Sequence, residues 1–259
     1  MSSESRFTVP LLDKLIPDGI EAGTVFNVEY DPDSQWLAVA TTIGARYLQA
    51  GGRVGFVSVM RPPEAVKKNL AKLGIDVAAA IAERRLNVDD WYTATLTGGR
   101  IAEQEKAALI EPIEGGNRLR SIKVADLSVE WLRLSKQGPL PFDVIETWPP
   151  GGLTIFDSVT EVTRFNEENS YLEYAITRGF TNERKAKRIR IGGAARGVQE
   201  ESFYKRLEGA SDGIIDLRVM ERDDEAKNFL RVRTLKGQPH DARWHEIGIK
   251  PNGEATLVG

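Results

Sequence analysis

Two hydrophobic periods alternate along the first part of the chain. A short apolar run at 24–30 lies between Gly23 and Asp31-Pro32, which is typical of a buried strand. Apolar residues then recur at helical spacing as far as Gly51-Gly52; they are Trp36, Val39, Ala40, Ile43, Tyr47 and Leu48. Because aspartate is favoured at a helix N-cap and proline just after it, the pattern predicts that this helix begins at Asp31.

The same alternation continues to the end of the chain. The almost wholly apolar segment 53–59 predicts a strand that is covered on both faces. Further helices are predicted at 63–72, 76–85, 123–136, 165–178 and 199–208. Further strands are predicted at 86–95, 153–157, 188–193, 213–221, 228–235, 244–249 and 254–258. This order predicts an α/β fold with a mostly parallel central sheet and C-terminal antiparallel hairpins. Residues 1–259 are expected to form a single domain, with 90–150 as a candidate insertion.

Composition narrows the range of functions. The chain has 259 residues, 41% hydrophobic and 28% charged, with a net charge of -3, so it is an ordinary globular sequence without a global attraction to polyanions. It has no cysteine, which excludes disulfides, thiol catalysis and cysteine-bound zinc. We find neither a signal peptide nor an apolar run long enough to span a bilayer, and we therefore expect a cytoplasmic protein.

Several segments, taken in order, resemble the KaiC-like branch of the RecA superfamily of ATPases, which is frequent in archaea. LLDKLIPDGIEAGTVFNVE is similar to the family's entry into its first strand, and RVGFVSVMRPPEAVKKNLAKLGID to its second strand and helix. LTIFDSV resembles its Walker B strand, and the segment from SDGIIDLRVMERDD to HEIGIKPNGEATL resembles its C-terminal hairpins. The resemblance covers most of the chain and implies a RecA-like three-layer sandwich.

The resemblance places a phosphate-binding loop after the first strand, where the motif is degenerate. A P-loop reads G-x-x-x-x-G-K-[ST], and its glycines, lysine and hydroxyl hold phosphates and Mg²⁺. In the matching register Tyr30 and Gln35 replace the glycines, Trp36 replaces the lysine and Leu37 the hydroxyl residue. Asp31 and Asp33 are expected to place carboxylates at the helix start, where they would repel a triphosphate. The sequence therefore indicates an inactive phosphate site.

Other parts of the ATPase machinery are also incomplete. Asp157 and Ser158 retain the Walker B position, but Met60 and Arg61 stand where the family has carboxylates. The family's K-x-R pair, which reaches a neighbouring subunit, is reduced to Lys236, an intersubunit candidate. We expect no cofactor and no metal, so ATP with Mg²⁺ is disfavoured. An ATPase with an atypical phosphate site remains an alternative.

A basic segment at 182–197 is the main concentration of charge. Its cations are Arg184, Lys185, Lys187, Arg188, Arg190 and Arg196. In RecA-like proteins the loops that grip DNA lie in this region, so the resemblance makes the segment a candidate for phosphate-backbone contacts. The alternative is a solvated helix end followed by a strand that is protected by its charges.

Two hypotheses of function follow. The first is a non-catalytic KaiC/RecA-type paralogue that acts as a regulatory or assembly partner of an ATP-binding relative, or of itself. The second is a nucleic-acid-binding accessory protein of recombination or repair that uses 182–197. The pathway stays open, because recombination, signalling and motility regulation all use this family.

Overall fold

A computed structural model describes residues 6–93, 110–119, 148–163, 172, 175–222 and 224–258. The described helices are α1 (Trp36–Gln49), α2 (Pro63–Lys72), α3 (Val77–Ala82), α4 (Val159–Thr163), α5 (Thr181–Lys185) and α6 (Glu201–Ala210), and Ala175–Phe180 is a π-helical segment before α5. The first strands are β1 (Arg6–Phe7), β2 (Ile20–Glu21), β3 (Val25–Tyr30), β4 (Val54–Ser58), β5 (Leu86–Asp90), β6 (Ile110–Ile113) and β7 (Gly116–Leu119). The later strands are β8 (Leu153–Phe156), β9 (Ile189–Ala195), β10 (Gly213–Arg222), β11 (Glu225–Leu235), β12 (His245–Ile249) and β13 (Ala255–Leu257).

One large sheet organises the described part of the chain. It has 11 strands in the order β13-β12-β11-β10-β3-β9-β8-β4-β5-β7-β6, while β1 and β2 form a separate pair. The pairs from β10 to β7 are parallel, and the C-terminal strands β10 to β13 pair antiparallel. The prediction of an α/β fold with a mainly parallel central sheet and C-terminal antiparallel hairpins is confirmed.

Apolar side chains pack on both faces of this sheet. Because successive side chains of a strand point to opposite faces, β3 contributes Phe26 and Val28 to one core and Val25 to the other. The first core includes Ile43 of α1 and Leu70 of α2. The second core lies under α4, α5 and α6, and its buried aromatic side chains are those of Trp91, Trp148, Phe156, Phe180 and Phe203. The sheet is thus the middle of three layers.

The parallel strands define two edges at their ends. Residues that follow β3, β4, β8 and β9 lie together at the carboxyl edge, and residues that precede these strands lie together at the amino edge. The helices return from the first edge to the second. Candidate site residues can therefore be assigned to an edge by their position relative to a strand.

Some predicted elements differ from those of the structure. The helix predicted to begin at Asp31 begins at Trp36, and the strand predicted at 86–95 ends at Asp90. The helix predicted at 123–136 and most of that predicted at 165–178 lie outside the described residues, as does most of the candidate insertion at 90–150. In the part of the chain that is described, no helix is both long and apolar enough to cross a membrane.

Candidate functional site

The segment between β3 and α1 is a turn rather than the first turn of the helix. Ser34 N donates to Asp31 O over 2.8 Å, and Asp31 N donates to Leu217 O of β10 over 3.0 Å. The side chain of Asp31 accepts from Val219 N over 3.0 Å. Asp31 therefore extends the pairing of β3 with β10 by one residue. The hydrogen bonds to β10 outweigh the preference of aspartate for the first position of a helix. The predicted role of Asp31 and Asp33 at the helix N-terminus was wrong, because α1 has no acidic residue in its first turn and no side-chain cap.

The loop is held from outside by the β10–β11 hairpin. Gln35 N, just before α1, donates to Oδ1 of Asn228 over 2.9 Å. Asp31 also lies beside two guanidinium groups, with Oδ1 3.8 Å from Arg196 Nη1 and 3.9 Å from Arg218 Nε. In a P-loop the backbone N–H groups and cations of this position face phosphate. Here three loop N–H groups, those of Asp31, Ser34 and Gln35, bind the protein's own acceptors.

Trp36 occupies the interior at the carboxyl edge. Its side chain is 1% exposed, and the indole N–H donates to the carbonyl oxygen of Asp157 over 2.7 Å. The indole also stacks on Tyr30, with 5.8 Å between ring centroids and 21° between planes. Gly193 of β9 makes room for it, since a Cβ at that position would lie 2.3 Å from the indole nitrogen. The residue at the lysine position of the motif is thus part of the core.

Asp157, the acid at the Walker B position, is fully buried. Its Oδ1 accepts from Val59 N over 2.8 Å, and its Oδ2 accepts from Met60 N over 3.2 Å. Burial raises the pKa of Asp157 to about 7, although these backbone hydrogen bonds act in the opposite direction. The carboxyl group therefore ties the end of β8 to the chain that follows β4.

Ser158 serves as a helix cap. Its hydroxyl accepts from Glu161 N over 3.0 Å, at the start of α4. Tyr30 is also buried. Burial raises the pKa of its phenol to about 12, and the phenol O–H donates to the sulfur of Met60 over 3.7 Å. Of the side chains that the sequence grouped as a phosphate site, Tyr30 and Trp36 contact each other, and Trp36 contacts Asp157, whereas Asp33 and Gln35 are exposed.

An open cleft of about 390 Å³ remains beside this cluster. Arg61 and Lys72 are the cationic residues that line it, and Leu37 lies on its wall. The polar residues of its lining are Ser34, Gln35, Thr41, Asn69 and Asn252. Within the described residues, no group of three or more metal-ligating side chains is close enough to hold a metal ion.

The basic segment 182–197 does not form one surface. Arg188 and Arg190 are each 2% exposed, so neither can contact an external ligand. Nε of Arg188 donates to Glu183 over 2.7 Å, and the guanidinium of Arg190 lies 4.8 Å from the ring centroid of Phe156. A nucleic-acid surface that includes these two residues is therefore excluded.

The remaining cations of the segment lie at opposite ends of β9. Arg184, Lys185 and Lys187 precede the strand at the amino edge, and Arg196 follows it at the carboxyl edge. Arg184 forms an ion pair with Asp212 over 3.1 Å, and Lys185 and Lys187 are exposed. Lys236, the intersubunit candidate, donates through Nζ to Gly209 O and Ser211 O, so it caps the C-terminus of α6.

Sequence reasoning missed a buried charge cluster on β3, β10 and β11. Arg233 Nη2 lies 2.9 Å from Glu29 Oε1 and 2.8 Å from Glu208 Oε1, and it joins the two carboxyl groups. Asp216 accepts from Arg218 and from Arg231 in the same cluster. Burial, together with the hydrogen bond to Glu208, raises the pKa of Glu29 to about 7. The available signal was a pair of charges two residues apart on each strand, Asp216 with Arg218 on β10 and Arg231 with Arg233 on β11, because such pairs mark one face of a strand.

A solved structure with a similar fold is known. The chain is similar to a KaiC-like protein from the hyperthermophilic archaeon Pyrococcus horikoshii, with a TM-score of 0.66 and 15% identity over 99% of this chain and 100% of that one. No protein-family model matches the chain, and no curated protein sequence matches it. At this identity the likeness establishes a KaiC-like, RecA-type fold.

Proposed function

We propose that this protein is a non-catalytic relative of the KaiC/RecA ATPases that acts as a regulatory or assembly partner. The observation that carries the proposal is the closure of the phosphate loop. The N–H groups of Asp31, Ser34 and Gln35 bind internal acceptors, and Trp36 occupies the lysine position as a core residue. Phosphoryl transfer depends on positioning and charge neutralisation of the phosphates, and these groups are its usual source.

The Walker B residues support the same proposal. A metal-binding aspartate has to offer ionised oxygens to the site, whereas both oxygens of Asp157 accept backbone hydrogen bonds and the group is fully buried. Ser158 already caps α4. We therefore propose that the protein uses neither ATP nor Mg²⁺ as a cofactor.

The partner role rests on the resemblance. RecA-like domains pack side by side with nucleotide between them, and a copy without turnover can keep that packing surface. We propose a homo-oligomer or a mixed assembly with an ATP-binding relative of the same fold. Closure of the loop by the protein's own residues is what such a subunit requires, because the fold then needs no ligand for its stability.

A thermal-shift experiment tests the absence of a nucleotide site. If the protein bound Mg-ATP, a Mg-ATP concentration about 100 times the Kd of that complex would stabilise the folded protein by about 2.7 kcal/mol. This corresponds to a rise of roughly 5–10 °C in Tm for a domain of this size. We expect no rise up to millimolar Mg-ATP, with a catalytic KaiC-like protein as the positive control. A saturable, Mg²⁺-dependent rise would instead support the ATPase alternative.

A second experiment tests the partner role. The tagged protein is analysed by native mass spectrometry alone, and then mixed with purified RecA-type ATPases from the same genome. We expect either a defined homo-oligomer or a stoichiometric mixed complex. A strict monomer that binds none of these ATPases would overturn the partner role and leave the nucleotide result unaffected.

Nucleic-acid binding is the second candidate function. The observation in its favour is the group of exposed cations at the amino edge of the sheet. This surface includes only part of the segment 182–197.

A further inference from the structure

Cations that are distant in sequence meet at the amino edge of the sheet. Val54 N donates to Arg85 O over 2.7 Å, and Leu153 N donates to Arg53 O over 2.8 Å, so the starts of β5, β4 and β8 are adjacent. Gly151 N donates to Ala186 O over 2.8 Å, which brings the end of α5 into the same row. Since neighbouring strands lie about 4.8 Å apart, the row from β5 to β9 extends over about 15 Å.

Four cations of this row have no acidic partner among the described residues. Arg85 and Arg184 form ion pairs with Glu83 and Asp212. The exposed cations Arg53, Arg84, Lys185 and Lys187 have no ion pair within the part of the chain that the structure describes. We refer to these four residues as the basic edge. The protein has a net charge of -3, so the basic edge is a local departure from its overall charge.

Two of the four cations stand in a backbone conformation that suits glycine. The helices α1, α2, α3 and α5 all end in the same paired hydrogen bonds, with a residue of positive φ just past the end. That residue is Gly51 after α1 and Gly74 after α2, with φ of 83° and 84°. After α3 and α5 it is Arg84 and Lys187, with φ of 55° and 54°. Glycine adopts this conformation without strain and is the usual residue there, so a cation at both positions is unfavourable for the fold.

The helix dipole favours Arg84, because α3 has no other basic residue in its last turn, but it does not account for Lys187. Cations near a helix C-terminus are favoured, but α5 already carries Arg184 and Lys185 in its last turn. The residue past the end could be glycine without loss of that interaction. The cation at position 187, at a φ of 54°, therefore calls for a function outside the fold.

We propose that the basic edge binds the phosphate backbone of nucleic acid without reading its sequence. Each phosphate of one duplex strand rises about 3.4 Å along the helix axis, so a row of about 15 Å matches the axial extent of roughly four phosphates. No large hydrophobic side chain is exposed on the described part of this edge; those exposed elsewhere are Val198, Ile249 and Val258. Stable membrane binding takes an apolar anchor in addition to a basic patch, and binding to bases uses aromatic platforms, so the phosphate backbone is the target that the edge fits best.

This surface is separate from the candidate phosphate site. The basic edge lies at the amino ends of the parallel strands, whereas Trp36 and Asp157 lie at their carboxyl ends, about 20 Å away along a strand of six residues. Binding at the basic edge depends on neither nucleotide nor partner. It replaces the earlier candidate surface, from which Arg188 and Arg190 are excluded by burial and Arg196 by position.

The test is a titration of a labelled duplex of about 30 base pairs with the full chain, at salt concentrations between about 50 mM and 200 mM. The test variants are Arg84→Gly, Lys187→Gly and the double variant, which remove charge and relax the backbone together. Lys68→Ala on the exposed face of α2 is the control for each single variant, since it also removes one exposed cation. The reverse variant is Gly51→Lys: a Cβ at Gly51 would meet no atom within 4 Å, and the φ of 83° makes the change costly for stability without blocking the surface.

We expect each glycine variant to lower the affinity about fivefold to tenfold at ~0.1 M salt and to reduce the salt slope by about 0.9. Lys68→Ala should change neither quantity, and Gly51→Lys should raise the affinity. The melting temperatures of Arg84→Gly and Lys187→Gly should equal or exceed that of the unmodified protein, which separates lost binding from lost folding.

Three outcomes would overturn the proposal. The first is that the unmodified protein does not bind the duplex at low salt. The second is that it binds, but equally well in the double glycine variant. The third is that vesicles rich in phosphatidylserine, or poly-glutamate, bind the edge more tightly than the duplex at equal charge concentration, which would identify a membrane or an acidic protein as the partner class.

Discussion

The carboxyl edge of the central sheet carries acids that the protein's own groups satisfy, whereas the amino edge carries cations without an acidic partner in the described part of the chain. Asp157 accepts two backbone N–H groups, and Asp31 accepts another and lies beside two arginines. Arg53 and Lys187, by contrast, are exposed. Charged residues indicate a binding surface only if the protein's own groups do not already bind them. Here the carboxyl edge, which carries the motif, is less available to a ligand than the amino edge.

Arg188→Ala has the largest expected effect, and it tests whether Arg188 is buried in an ion pair while its neighbour Lys187 is exposed. We expect a loss of about 3–5 kcal/mol in the free energy of unfolding, because Glu183 would remain buried without its partner. Urea denaturation measures the loss, and Lys187→Ala, one residue away and exposed, should change stability by about 0.5 kcal/mol or less. Similar effects of the two substitutions would contradict the assignment. The double change Glu183→Leu with Arg188→Met should recover much of the loss.

Trp36→Phe tests whether the lysine position of the motif has become part of the core. The phenyl ring keeps an aromatic side chain but leaves the Asp157 carbonyl without its donor. We expect a loss of about 2 kcal/mol, since an unpaired buried acceptor costs about 1–3 kcal/mol. Trp244→Phe, at a half-buried position on the C-terminal hairpins, is the control and should lose less. An equal loss at both positions would mean that the indole of Trp36 has no special structural role.

Glu29→Gln tests whether the stability of the protein depends on pH through the buried carboxyl group of Glu29. The pKa of Glu29 is raised from 4.5 to about 7, so the folded protein binds more protons than the unfolded chain in that interval. Its contribution to stability is therefore complete below about pH 4.5 and is lost as the pH rises through 7. Glutamine keeps a neutral group beside Glu208, Arg233, Asp216 and Arg218.

We accordingly expect the stability of Glu29→Gln, relative to the unmodified protein, to increase between about pH 5 and pH 8 by at least about 1 kcal/mol, close to the value of one pKa unit. Denaturation of both proteins in parallel at each pH measures the difference, and it cancels groups that titrate identically in the two. A difference that stays constant or falls over this range would show that Glu29 is ionised in the folded protein.

Asn228→Ala has the smallest expected effect and tests how the loop is held. Loss of the hydrogen bond from Gln35 N should cost about 1 kcal/mol, the usual net contribution of one hydrogen bond. Asp33→Ala, in the same loop but exposed, should change stability by no more than about 0.5 kcal/mol. Thermal unfolding of both variants gives the comparison, and the reverse order of effects would mean that the hairpin does not anchor the loop.

The sequence by itself determined most of the central strands, the helices α1, α2, α3 and α6 and the absence of a phosphate-binding motif, but not β6, β7, α4 or α5. Apolar runs at β3, β4 and β8 and the helical spacing from Trp36 to Leu48 are local patterns, and burial on both faces of a parallel sheet leaves them little freedom. The loss of glycines and lysine at 30–37 is likewise visible residue by residue. These features require no knowledge of distant contacts.

Only the tertiary structure decided where the charges go. Asp31 looked like a helix start, but pairing with β10, almost 190 residues later in the chain, offers its N–H and carboxylate better partners. Arg188 and Lys187 are neighbours in sequence, yet Arg188 is buried on Glu183 and Lys187 is exposed, just before β9 begins at Ile189. The basic edge likewise brings together Arg53, Arg84 and Lys187. Such partners meet only when the sheet assembles, so no local pattern contains them.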